Sequence, residues 1–226
     1  MLNYYFVDHF KEYMEISFLG QAAFRLKGKT TTVVTDPFDP EFVGLKFPKV
    51  EADIVTISHD HKDHNSALSV EGTPFLIQGP GEYEIKETAV VGVRGWHDDK
   101  DGGERGTNTL YNITIDGLKV AHLGDLGQKE LTQNQVELLG TVDILLIPVG
   151  SVYTIDASSA AKITAQLEPK IIIPMHYFLP GLKFQLDPVD KFLKEMGQEE
   201  VNREVKLVIT PDRLPEEPKV IVLEKI

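Results

Sequence analysis

Apolar positions along the first half of the chain come in short, strand-length runs. Met14 to Leu19, Ala22 to Lys27 and Thr31 to Thr35 read as strands, with Gly20 and Gly28 as punctuation. The run from Asp53 to Ser58 is continuously apolar in its middle, the pattern of a strand covered on both faces. Further strands are predicted over Pro74 to Gln78, Thr88 to Arg94, Thr109 to Ile115 and Leu118 to His122. Asp116-Gly117 lies between two alternating runs and signals a hairpin. Gly79-Pro80-Gly81 and Gly150 read as turn residues.

The second half changes period. Thr132 to Leu139 has helical spacing, and Asp156 to Leu167 is a second helix with Asp156 as its N-cap. Strands are predicted over Asp143 to Pro148 and Ile171 to Met175. Pro188 to Met196 reads as a helix that closes at Gly197. Two last strands, Val205 to Ile209 and Val220 to Glu224, flank a proline-rich loop. No repeat, low-complexity tract or linker interrupts this order. Strands with helices outside them predict an α/β sandwich in one domain.

Composition narrows the chemistry more than the fold. The 226 residues are 42% hydrophobic and 26% charged, an ordinary globular balance. There is no cysteine, so disulfides and thiolate chemistry are excluded and any metal must take N and O ligands. The net charge of −12 disfavours nucleic acid as a partner. Asp8, His9, Lys11 and Glu12 break the opening segment, so Met1 to Tyr13 reads as neither signal peptide nor membrane span. The expectation is a cytoplasmic protein without membrane contact, acting on a small molecule; a homo-oligomer is compatible with the chain.

Three of the seven histidines fall within six residues. Ser58-His59-Asp60-His61-Lys62-Asp63-His64 follows directly on the buried strand. In an extended segment His59 and His61 point the same way, so two imidazoles can share one ion. A helix starting near Asp63 would turn Asp63 and His64 toward a second position. A polar loop whose Asp63 or Asn65 only caps a helix would not need three imidazoles and an interleaved carboxylate.

These residues resemble the His-x-His-x-Asp-His motif of the metallo-β-lactamase superfamily. Four further segments match the family in order: Thr35-Asp36-Pro37, Trp96-His97-Asp98, Leu123-Gly124-Asp125-Leu126-Gly127 and Ile173-Pro174-Met175-His176-Tyr177. The resemblance runs from about Met14 to Tyr177. It implies a four-layer αββα sandwich over residues 14–226, preceded by a short extension over residues 1–13. His59, His61 and His97 would hold one ion, while Asp63, His64 and His176 would hold another. Asp125 would bridge them, and Asp36 would support the loop without ligating. Zinc is the expected ion, with manganese and iron as alternatives. The branch resembled contains ascorbate-6-phosphate lactonase-like hydrolases, whose members open with Gly-His-x-x-Phe. Gly20-Gln21-Ala22-Ala23-Phe24 departs from that pattern by placing Gln21 where the histidine stands.

The implied activity is hydrolysis of a small anionic ester or lactone by a water activated between two ions, with Asp63 or Asp125 orienting it and moving a proton. Arg105 and Asn108, in the polar loop after His97, are candidate contacts for an anionic group. Tyr177 is a candidate donor to a developing oxyanion. His122 is expected to pack structurally, and His9 to lie on the surface. A phosphodiesterase or nuclease could use the same two ions but would need a basic channel. Iron redox chemistry and a non-catalytic binding module are the remaining alternatives; the module would have lost ligands. No Gly-x-Ser-x-Gly elbow, phosphate loop or dinucleotide fingerprint is present.

Overall fold

The computed structural model describes residues 13–198, 201 and 203–226. His9 and all but the last residue of the expected N-terminal extension lie outside the described residues. The chain runs β1 (Met14–Gly20), β2 (Ala23–Lys27), β3 (Thr32–Thr35), α1 (Pro40–Val43), β4 (Ile54–Ile57), β5 (Phe75–Gln78), β6 (Gly81–Ile85), β7 (Thr88–Trp96), β8 (Thr107–Ile115) and β9 (Leu118–His122). It continues as α2 (Gln133–Leu139), β10 (Ile144–Pro148), α3 (Ala157–Leu167), β11 (Ile171–Met175), α4 (Asp190–Glu195), β12 (Arg203–Glu204), β13 (Leu207–Ile209), β14 (Lys219–Val220) and β15 (Val222–Leu223).

Two mixed sheets face each other. The first has the order β13-β1-β2-β3-β4-β5 and the second β14-β11-β10-β9-β8-β7-β6. Alternation along the strands explains how the sheets pack. Ile16, Phe18, Phe24, Leu26, Val33 and Ile54 join the core shared with the second sheet. Their neighbours Leu19, Ala23, Val34 and Val55 point outward into a separate cluster with Phe38, Val43, Leu45 and Val50. The first sheet is thus apolar on both faces, as the unbroken run at Ile54–Ile57 requires. Each such side chain stabilises the fold by about 1.5–3 kcal/mol when fully buried.

The outer layers differ. Helices α2 and α3 cover the second sheet, and α3 makes the crossover between the parallel strands β10 and β11. Asp156 caps α3, its carboxylate accepting from the Ser159 N–H at 2.8 Å. Thr132 and Gln135 form a capping box at α2. Over the first sheet the cover is thin: α1 has four residues, and coil supplies the rest. The Asp116-Gly117 hairpin forms between β8 and β9 with both residues at positive φ. Gly81 opens β6 rather than only turning the chain, because residues 81–85 pair with β7. The last predicted strand is split at Ile221 between two partners, β11 and β12. Among the described residues, no helix is long and apolar enough to cross a membrane.

Candidate metal centre

The chemistry-bearing residues gather where strands end. Asp36 follows β3, the 58–64 loop follows β4, His97 follows β7, Asp125 lies just past β9 and His176 follows β11. Parallel neighbours β3 and β4, and β9, β10 and β11, end on the same side, so loops distant in sequence meet at one edge. Backbone bonds knit this edge across the sandwich. The Thr109 N–H donates to Ser58 O at 2.8 Å, the Gly127 N–H to Trp96 O at 2.8 Å, and the His176 N–H to Gln21 O at 2.8 Å.

Two glycines permit the closest approaches. A Cβ on Gly127 would lie 2.3 Å from the His97 carbonyl carbon, and one on Gly150 would lie 2.0 Å from His176 O. Gly150 is therefore more than a turn residue, because any side chain there would push the His176 loop away. Gln21, Asp36 and His176 hold φ values of +56°, +39° and +51°. Non-glycine residues rarely adopt this region, which costs of order 1–3 kcal/mol each. The surrounding bonds hold them there.

The expected ligands form two adjoining groups. His59, His61 and His97 make one; Asp63, His64, Asp125 and His176 make the other; within each, candidate ligand atoms lie within 4.8 Å of one another. His59 Nε2 and His61 Nδ1 are 3.0 Å apart. Asp125 stands between the groups. Its Oδ1 is 3.1 Å from His64 Nε2, and its Oδ2 is 3.3 Å from His176 Nε2, 3.6 Å from His97 Nε2 and 4.0 Å from His59 Nε2. His64 Nε2, His176 Nε2 and Asp125 Oδ1 are buried and make no hydrogen bond. Buried polar atoms are seldom left so. Atoms that crowd a point without bonding to each other fit a cation held among them, so the donor set suits divalent metal.

No helix begins at Asp63, contrary to the sequence expectation. The 61–65 segment is a turn in which His61 O accepts from the N–H groups of His64 and Asn65. The loop is anchored instead by Ser66 N–H to Pro37 O at 2.7 Å and Asp39 N–H to Lys62 O at 2.9 Å. These anchors hold the chain against the 36–39 segment. Asp63 still faces His64, with Oδ2 3.4 Å from Nε2.

Asp36 supports this loop from behind. Its carboxylate accepts from Ser58 N–H at 2.8 Å and Ser58 Oγ at 2.5 Å, and pairs with His64 Nδ1 at 2.8 Å. An Nδ1–H donated to a carboxylate leaves Nε2 free to ligate. Gln21 does a similar job for Asp63, donating from Nε2 to Oδ2 at 3.2 Å while fully buried. Sequence reasoning recorded Gln21 only as a departure. Its contact with Asp63 depends on a turn that no local pattern reports. Asp98 was likewise missed: its carboxylate accepts the N–H groups of Lys100, Gly102, Glu104 and Arg105 and so shapes the loop after His97. Burial alone would raise the Asp98 pKa, but these four donors hold it down at about 2.

The protonation states suit a metal. Burial, reinforced by the charge on His64, pushes His59 down to about 3, and burial also lowers His97. Both stay neutral with lone pairs available. Burial alone would raise Asp125 and Asp63, yet the neighbouring histidines hold both below the usual carboxylate range. Burial likewise opposes a charge on His64, but Asp125 and Asp63 outweigh it and raise its pKa well above the ordinary value. The pocket thus demands positive charge between these carboxylates, which a proton or a metal ion can supply.

The remaining candidates separate. Arg105 lines the cleft over the ligands, as do Asp63 and Asp125. Asn108 does not reach it, because Nδ2 donates to Leu123 O at 2.9 Å and Oδ1 accepts from the Asp125 N–H at 2.9 Å. Its amide is spent on holding the Asp125 loop. Tyr177 is also buried away from the cleft, its hydroxyl 3.5 Å from Leu223 O. His122 is packed as expected, with Nε2 2.8 Å from Ala22 O and Nδ1 accepting from the Gly124 N–H.

Comparison with known proteins gives the family and the fold. The sequence profile of the beta-lactamase superfamily domain matches residues 15–176. A UPF0173 metal-dependent hydrolase from Thermococcus onnurineus is 30% identical, with 73% of this chain and 84% of that protein covered. Another from Pelotomaculum thermopropionicum is 29% identical over 86% of this chain and 96% of its own. The crystal structure of a candidate zinc-dependent hydrolase of the metallo-beta-lactamase superfamily from Thermotoga maritima superposes with a TM-score of 0.76 at 39% identity, covering 93% of this chain and 98% of that one. With the profile spanning most of the chain and the overall fold in agreement, this protein belongs to the beta-lactamase superfamily and has the metallo-β-lactamase fold.

Proposed function

We propose that the protein is a dinuclear metal-dependent hydrolase of a small anionic ester or lactone. The observation that carries this reading is the pair of adjoining ligand groups, with Asp125 of one within 3.6–4.0 Å of His97 and His59 of the other and with buried ligand atoms that make no hydrogen bond. His59, His61 and His97 would hold one ion, and Asp63, His64 and His176 the other. When bound, two such ions supply Lewis acidity and lower the pKa of water toward about 7, so that a nucleophile exists at neutral pH. The relatives named metal-dependent hydrolases support the class of activity.

The chain's own residues account for the rest. Asp125 has both oxygens among imidazoles and a side chain only 3% exposed, which suits a fixed bridge. The Asp63 side chain is 15% exposed and lines the cleft, so Asp63 is the carboxylate placed to carry a proton to a leaving group. Gln21 orients it. Arg105, at the cleft wall, would take the anionic end of the substrate. Lys62 and Arg105 are the cations among the described cleft residues, and Asp60 lies beside them, which does not make a nucleic-acid channel.

Elemental analysis of purified protein, covering zinc, manganese and iron, tests the site directly. It should be paired with turnover of δ-valerolactone and bis(p-nitrophenyl) phosphate. Two ions per chain and faster lactone hydrolysis are expected. Faster phosphodiester cleavage would shift the reading to a phosphodiesterase, and no metal after loading would overturn it.

A further inference from the structure

The cleft over the ligands is also lined by side chains that metal chemistry does not use. It encloses about 500 Å³, a size that suits a small-molecule site. Its lining joins His61, Asp63, His97 and Asp125 to Phe42, Phe184 and Tyr153. Phe184 touches both other rings, with centroids 6.4 Å from Phe42 and 6.1 Å from Tyr153. The guanidinium of Arg105 lies 5.3 Å from the Tyr153 ring centroid and donates to Tyr153 O at 2.6 Å. Phe42 remains 47% and Tyr153 40% exposed, although the fold has a covered core available for aromatic side chains.

This row is built rather than incidental. Its members come from three segments far apart in sequence, and those of Phe42 and Phe184 are held to each other by backbone contacts. Asp39 caps α1 and accepts from the N–H of Phe42 itself, while its own N–H bonds to Lys62 O in the ligand loop. The Lys183 N–H donates to Val43 O at 3.0 Å, joining α1 to the segment that carries Phe184. A Cβ on Gly44 would lie 2.5 Å from Gly181 O, so the two segments meet backbone to backbone. Asp98 gathers the loop that presents Arg105. A rigid aromatic row in the same cleft as ligating residues gains by burying an apolar group and has little to offer a polyhydroxylated one.

We propose that Phe42, Phe184 and Tyr153 form a subsite for an apolar, aryl-sized substituent of the substrate. This rests on the reading of the ligating residues as a hydrolytic metal site. The substrate class narrows to an ester or lactone with a ring-sized apolar body, its scissile bond toward His61, His97 and Asp125.

Calorimetric titration of the metal-loaded protein with 3-phenylpropionate and with propionate tests the subsite without requiring turnover. The aryl acid should bind at least tenfold more tightly. In Phe184→Ala and in Tyr153→Ala that preference should fall below threefold, with metal content unchanged; Tyr153→Ala decides the matter if the half-buried Phe184 proves necessary for folding. Equal binding of the two acids, or a preference that survives both substitutions, would overturn the subsite. Turnover of phenyl acetate and δ-valerolactone separates the two ideas. An aryl preference without hydrolysis of either leaves the subsite standing and overturns the hydrolase reading, whereas hydrolysis without an aryl preference overturns the subsite alone.

Discussion

The two ligand groups differ in how they are held. His64 and His176 are fully buried, and His64 is locked through Asp36 to Ser58. His61, in contrast, is exposed at the cleft, and its neighbour His59 is 9% exposed. The buried group concentrates carboxylates, with Asp63 and Asp125 both within 3.4 Å of one imidazole nitrogen. The other group consists of three imidazoles, of which His61 alone is exposed, and its His97 and His59 lie 3.6 and 4.0 Å from Asp125 Oδ2. The contrast teaches that one half of the site is part of the fold's charge balance while the other half faces the substrate.

Substitutions should expose this asymmetry. The largest effect is expected from Asp125→Ala, which removes the carboxylate that lies between the two groups. Metal content should fall below one ion per chain and hydrolysis to background; full stoichiometry by elemental analysis would exclude a bridge. Next comes the pair His64→Ala and His61→Ala. Without metal, His64→Ala leaves Asp36, Asp63 and Asp125 without their shared imidazole and should destabilise the chain by about 3 kcal/mol or more. His61→Ala should strip metal yet change metal-free stability by less than about 0.5 kcal/mol. Denaturant unfolding of the apo-proteins measures both, and equal losses would erase the contrast. Asp36→Ala should weaken metal affinity by about 10–100-fold, read by competition with a chelator. A last expectation concerns metal removal alone. Free ion at 100 times its dissociation constant stabilises by about 2.7 kcal/mol per site, so chelation should lower the melting temperature measurably in the wild type. The shift should be absent in Asp125→Ala.

Local pattern made much of this legible. Three imidazoles and a carboxylate in six residues after a buried strand mark a ligand loop wherever the rest of the chain goes. Hairpin chemistry at Asp116-Gly117 and the cap at Asp156 act over a few residues, so they too could be read directly. The expected helix at Asp63 failed because tertiary bonds to Pro37 and Asp39 competed with helix initiation. The short α1 was not foreseen, since four residues leave no period to detect. Asn108 and Tyr177 were candidates by their proximity in sequence to His97 and His176. Strand alternation and burial turned both away from the cleft. Gln21 and Asp98 carry no signal in isolation, because their partners are a turn 42 residues away and the backbone of a folded loop.

The sequence by itself determined the donor types, the absence of thiolate and the four strand ends that bear the candidate ligands, since these follow from residue identity and short-range periodicity. Only the tertiary structure decided that Asp125 stands between two groups, that His64 and His176 are buried while His61 is exposed, and that Phe42, Tyr153 and Phe184 line the same cleft. Those facts depend on strand order and on how loops from two sheets meet at one edge. Such long-range packing is set by the summed burial of many apolar residues, and no single motif encodes it.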